Sequence, residues 1–186
     1  MKAFIPFISL LCILLWTSCS EKKQNDSKEV AEDQNEEKFD TTNLEADTEF
    51  AVEAADAGML EVQAGSLALS KASSTKVKEF AQMMIDDHTK ANEELKSLAT
   101  NKNITLPSTI SDKHQKKYDD LAEKSGTDFD KAYADMMVKD HKDVVDMFKK
   151  AADKCKDQQI KTWAAGKIPA LEHHLSTAEN INKEVK

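Results

Sequence analysis

The chain has 186 residues, with 26 Lys and Arg against 34 Asp and Glu and a formal net charge of -8. That surplus opposes binding to nucleic acid and to anionic membrane surfaces, and no basic patch interrupts it. With only 3 cysteines and 4 glycines, neither a disulfide scaffold nor a turn-rich all-β fold fits the composition.

Lys2 precedes an apolar run over 3–16, followed by Thr17, Ser18, Cys19 and Ser20. The run is too short and wrongly flanked for a stable membrane span and reads as a secretory signal over 1–18. A cysteine directly after small residues resembles a bacterial lipoprotein signal, which implies Cys19 as the lipidated first residue, although Trp16 stands where that pattern has Leu. The expected address is the cell envelope, in the periplasm at the outer membrane, with the membrane as partner only through the N-terminal lipid and no nucleic acid. Cys12 leaves with the signal and Cys19 is acylated, so Cys155 stands alone and no intramolecular disulfide forms. Loss of Lys2 takes the net charge to about -9.

Residues 19–46 carry few large apolar side chains beyond Val30, Phe39 and Leu44. Such a segment buries too little to offset its ordering entropy and is expected to be a flexible acidic tether. A surface helix over 28–38 would have no apolar face to dock.

The remaining domain, 47–186, suffices for one core. Ala, Lys, Glu, Asp, Leu and Met dominate it, and helices are expected over 46–72, 74–101, 127–154 and 157–184, with a shorter one over 110–124. Ser73 and Ser74 interrupt and cap. Asn101 and Asn103 with Leu106 and Pro107 end the second long helix, Ser111 or Asp112 caps the short one, and Ser125 and Gly126 open the third. Helices of about 26 residues run nearly 40 Å. The predicted fold is all-α: a four-helix bundle with a ferritin-like crossover and a short extra helix between the second and third long helices.

Each long helix carries one inward stripe with one polar member at its middle. The second has Val77, Ala81, Met84, His88, Ala91, Leu95 and Leu98. The third has Ala134, Met137, His141, Val144, Phe148 and Ala151, and repeats the second's Met-Met-x-x-Asp-His pattern 53 positions later. The first is a small-residue seam, Ala51, Ala54, Gly58, Gly65, Ala68 and Ala72, interrupted by Glu61. The fourth carries Ala164, Leu171, His174, Ala178 and Ile181, disturbed one turn earlier by Lys167 and Pro169. Helix midpoints in a bundle share one height, so Glu61, His88, His141 and His174 are expected to converge.

One carboxylate and three imidazoles on facing helices are a donor set for zinc, copper or iron. Asp87 and Asp140, each about 100° around its helix from a layer histidine, are candidates to support it. Buried histidines are also held by carboxylates or water merely to fix helix register, and a structural polar layer without a cofactor is the favoured reading. Met83, Met84, Met136, Met137 and Met147 offer soft sulfur but read as core filler. His114 and His173 have weaker claims, and Lys154 and Lys156 beside Cys155 are of the sign that lowers a thiol pKa.

No enzymatic role is expected. Di-iron and di-manganese bundle enzymes use Glu-x-x-His turns, and none occurs here, nor a phosphate loop, His-Glu-x-x-His or nucleophile elbow. The expectation is a non-enzymatic interaction or stress-related module, with transition-metal storage or sensing as the alternative; a protein partner or homo-oligomer stays unspecified.

The runs Phe50-Ala-Val-Glu-Ala-Ala-Asp-Ala-Gly58-Met-Leu-Glu61, Met84-Ile-Asp-Asp-His88-Thr-Lys-Ala-Asn, Met137-Val-Lys-Asp-His141 and Ile168-Pro169-Ala-Leu-Glu-His-His174-Leu resemble the bacterial domain of unknown function 4142. The resemblance runs in order through all four long helices, with Ile168 standing where Leu is usual. It implies a ferritin-like helical bundle in exported proteins often labelled membrane or outer-membrane proteins, and it implies no reaction or ligand. The family pattern falls on Glu61, Asp87, His88, Asp140, His141 and His174.

Overall fold

The computed structural model describes residues 26–40 and 42–186. The signal segment 1–18, Cys19 and the first part of the tether lie outside them. Six helices and no strand occur among the described residues: α1 (Ser27–Phe39), α2 (Glu45–Lys71), α3 (Thr75–Asn101), α4 (Asp112–Ala122), α5 (Gly126–Lys154) and α6 (Gln158–Val185).

Local chemistry sets the boundaries. Ser74 Oγ accepts from Val77 N–H, Ser111 Oγ from His114 N–H, and Asp157 Oδ1 from Gln159 and Ile160 N–H, so each supplies an acceptor that the first helical turn otherwise lacks. At the far end of α3, Asn103 takes a left-handed φ of 59°, and Ile104 N–H reaches back to Ala99 O at 2.9 Å. Gly126 opens α5 with φ 59°, a conformation that costs glycine nothing. α6 runs on through the exposed Pro169.

The four long helices share one core and pack chiefly as two hairpins, α2 with α3 and α5 with α6. Contacts between their ends fix direction. Lys76 at the start of α3 pairs with Glu184 at the end of α6 (2.6 Å), and Lys102 after α3 with Asp157 before α6 (2.5 Å), so these helices run antiparallel. Asp47 at the start of α2 meets the α5–α6 turn, and Ala72 after α2 forms a backbone bridge with Gly126, so α2 and α5 are antiparallel too. The long α3–α5 connection contains α4, which lies against α2 and α5.

The core falls into two apolar halves. One gathers Phe50, Leu95, Phe148, Ile160 and Leu171, with Phe50 and Phe148 edge to face at 5.0 Å. The other gathers Val77, Phe80, Met84, Phe129, Tyr133 and Ala178. On every long helix the polar residue sits between the two: Glu61, His88, His141 and His174 are all buried.

Three aspartates fasten the connections. Asp47 accepts from Lys156 N–H (2.9 Å) and Asp157 N–H (2.6 Å); Asp130 accepts from Ser73 N–H (3.0 Å), Ser74 N–H (2.9 Å) and the Ser73 hydroxyl. Asp56 accepts from Ser111 N–H (2.8 Å) and lies 3.0 Å from His114 Nδ1. All three are buried, and each supplies an acceptor to a turn on another segment.

The segment expected as a flexible tether differs in its second half. Ser27–Phe39 is helical and packs on α2, although little of it is apolar. Polar contacts hold it where an apolar face is missing. Asn35, 1% exposed, donates to Thr105 O (2.8 Å) and accepts from Thr105 N–H (2.7 Å), while Ser27 accepts from Ser108 N–H and Lys28 pairs with Glu53. Ala31 is small enough to let the helix approach. Asn35→Ala removes both bonds to Thr105 and should raise tryptic cleavage at Lys28 and Lys38 by about tenfold or more, with the thermal midpoint moved by only a few degrees. Unchanged cleavage would show that α1 is held by other contacts.

Candidate metal centre

The three histidines of the layer face one another. Their ring centroids are 5.2 to 5.7 Å apart, and one ring nitrogen from each lies within 4.8 Å of the other two. Each ring has one nitrogen held from outside. His88 Nδ1 is 2.8 Å from Glu61 Oε2, His141 Nδ1–H donates to Met137 O at 3.1 Å, and His174 Nε2 is 2.9 Å from Asp87 Oδ2. The opposite nitrogens, His88 Nε2, His141 Nε2 and His174 Nδ1, are buried and have no hydrogen-bond partner among the described residues, and the same holds for Glu61 Oε1.

An imidazole with one nitrogen fixed by a carboxylate or carbonyl and the other free is oriented as a metal ligand. The unpartnered state is costly otherwise, about 1–3 kcal/mol for each buried polar group left alone. Zinc–nitrogen bonds of about 2.0–2.1 Å place tetrahedral nitrogens about 3.4 Å apart, so modest ring rotations would close this group on an ion.

The charges suit such a centre. Burial pushes the Glu61 carboxyl up, but His88 and His141 outweigh it and bring it down to about 2. Burial pushes His88 down, yet the Glu61 carboxylate prevails and its pKa is raised. His141 and His174 are both lowered, by burial first, which keeps their lone pairs available. An incoming ion would take the place of the His88 proton.

The site differs in detail from the four-ligand expectation. Glu61 lies on the Nδ1 side of both His88 and His141, 2.8 Å from the former and 3.5 Å from the latter, so it approaches both rings from the side opposite their unpartnered nitrogens. Asp87 reaches the layer across the interface, from α3 to His174 on α6. Asp140 is not brought into it. It faces α4 and pairs with Lys117 at 2.6 Å, because the residue before His141 points about 100° away from the seam. Met84 and Met137 are core members one turn before His88 and His141, His173 is exposed, and His114 is buried against Asp56. Cys155 is buried too, and its thiol is pushed up to about 11 by burial and then by Asp47, which fits the plain lone thiol favoured over one activated by Lys154 and Lys156. The buried roles of Asp47, Asp56 and Asp130 were not expected from the sequence pattern.

The family described as Domain of unknown function (DUF4142) matches residues 30–181. The chain belongs to this family. No curated protein and no solved structure matches it. The DUF4142 match begins inside α1 and ends at Ile181 in α6, so it takes in all of α2 to α5 and every residue of the histidine layer.

Proposed function

We propose that this DUF4142 protein is a ferritin-like bundle that holds one transition-metal ion on His88, His141 and His174, in a non-enzymatic storage or sensing role. The observation that carries the reading is the set of three buried, unpartnered ring nitrogens, each on a ring whose other nitrogen is already held. A layer that served register alone gains nothing from leaving those three atoms unpaired. Three neutral imidazoles without a thiolate suit zinc or copper, and iron less well.

Metal analysis of the signal-free protein, purified without a histidine tag, should find about one zinc or copper ion per chain, bound at micromolar concentration or tighter. His88→Ala, His141→Ala and His174→Ala should each weaken binding by about 100-fold or more, and His173→Ala should leave it unchanged. Absence of binding at micromolar metal would end the proposal and return the layer to a structural role in an interaction or stress-related module.

We also propose that the chain is exported and anchored in the outer membrane through a lipid on Cys19. Its support is the sequence of the first twenty residues. Cys19→Ala should abolish acyl labelling and release the protein from membranes; an unchanged pattern would refute the anchor.

A further inference from the structure

Residues 20–25 are all that separates Cys19 from Asp26, so Asp26 lies at most about 25 Å along the chain from the acylated residue. A chain of that length has a typical end-to-end distance of only about 15 Å. Asp26 is held to the domain. Its carboxylate accepts from Lys28 N–H and from Asp112 N–H, both at 2.8 Å, and the neighbouring Ser27 Oγ accepts from Ser108 N–H at 2.8 Å. Lys28 pairs with Glu53, and Ser111, beside Asp112, donates to Asp56, so the point of attachment stands near mid-length of α2 and not at an end of the bundle.

The side of the bundle is fixed as well. α2 packs on α3 and α5, and α6 packs on α5 and α3, so the α2–α5 and α3–α6 faces are opposite. α4 lies over α2 and α5, and α1 lies on α2 and bounds a groove with α2 and α5, so both flank Asp26 on the α2–α5 face. We propose, on the lipid-anchor reading above, that the bundle lies on its side against the phospholipid headgroups, with α4 as the contact face and the α3–α6 face turned to the water. Standing on either end would hold Asp26 about half a helix length, or 20 Å, from the surface and draw the leash nearly taut. Turning the α3–α6 face to the lipid would put two helix layers, again about 20 Å, in between. Charge decides which flank comes nearer. α1 carries two lysines against five carboxylates and is repelled by an anionic leaflet, whereas α4 carries three lysines against three aspartates. Lys113 and Lys116 are exposed on α4 and Tyr118 is half-buried, side chains that suit a headgroup layer. With an acidic surplus over the whole chain, the short leash and not an affinity for lipid imposes the contact.

The test uses the full acylated chain in phosphatidylethanolamine–phosphatidylglycerol vesicles that contain a lipid spin-labelled at its headgroup. A thiol-reactive fluorophore is placed at Lys116→Cys on α4 or at Lys90→Cys on α3, both exposed positions, while the native Cys155 is buried and stays unlabelled. Quenching by the spin label should be about threefold or more stronger at 116 than at 90, because the thickness of the bundle separates the two faces. Twenty Gly and Ser residues inserted after Asn25 lengthen the reach to about 95 Å and should bring the two positions to within about 1.5-fold of each other. Equal quenching with the native leash, or stronger quenching at 90, would overturn the orientation and leave the anchor standing if the protein still floats with the vesicles. A preference for 116 that persists with the long leash would overturn the leash as its cause. A chain that carries no acyl group and stays off the vesicles would overturn the anchor and the orientation together.

Discussion

Zinc in thousandfold excess over its dissociation constant should raise the unfolding free energy by about 4 kcal/mol, because only the folded chain brings the three imidazoles together. For a domain of this size that corresponds to a rise of about 10 °C in thermal midpoint, reversed by a chelator. The decisive comparison replaces the Glu61–His88 pair as a whole. Both side chains are buried, Glu61 2% and His88 6% exposed, and their attraction is offset by the cost of taking two charges from water. Glu61→Leu with His88→Leu should therefore leave the metal-free protein as stable as the parent, or more so by about 1–4 kcal/mol, in urea unfolding. The same double variant should show no stabilisation by zinc. His88→Leu alone should destabilise the metal-free protein, because the Glu61 carboxylate stays buried and loses its closest partner. A double variant that is less stable without metal, in a parent indifferent to zinc, would mean that the layer exists for packing and register.

The histidine layer was legible because helix periodicity states which face a residue occupies, and midpoints coincide whatever the topology. His88, His141 and His174 needed only those two arguments. Glu61 met the same criteria, but periodicity does not tell which atom of a side chain faces the centre, so its place behind His88 and His141 required coordinates. Asp87 and Asp140 are equivalent in the repeat, and their fates differ because α3 has α6 opposite that flank whereas α5 has α4. α1 was missed for a physical reason: its docking rests on Asn35 and the backbone of Thr105, a pairing that leaves no mark in apolar patterning. Signals for two of the three clamping aspartates were present. Asp47 lies two heptads before Glu61 on the small-residue seam, and Asp130 one heptad before Met137, both inward positions where a charge calls for a partner. Asp56 lies off that seam, facing the α3–α4 connection, and its role emerges only once Ser111 and His114 are in place.

Asp47→Ala and Asp130→Ala should each cost about 3 kcal/mol, more than most single substitutions in a protein of this size. Each removes a carboxylate that serves two backbone N–H groups at the start of the following helix: Lys156 and Asp157 for Asp47, Ser73 and Ser74 for Asp130. The lost bonds are charge-assisted, and the alanine offers the stranded donors no acceptor. Asparagine keeps one acceptor oxygen and should restore roughly half of the loss at either site. Because the two clamps sit at opposite ends of helices about 40 Å long, the losses should add to about 6 kcal/mol, within reach of the whole stability of an ordinary domain. The double variant is thus expected to be largely unfolded or close to it at 37 °C, while Asp153→Ala, on the exposed end of α5, should change stability by no more than about 0.5 kcal/mol. Urea unfolding of the alanine, asparagine, double and control variants measures all of this, and zinc gives an independent check. If the clamps act on the fold and not on the histidine layer, each single variant should still gain the parent's increment from the metal, whereas a clamp variant that folds but has lost that increment would show that the turns also set the geometry of the centre.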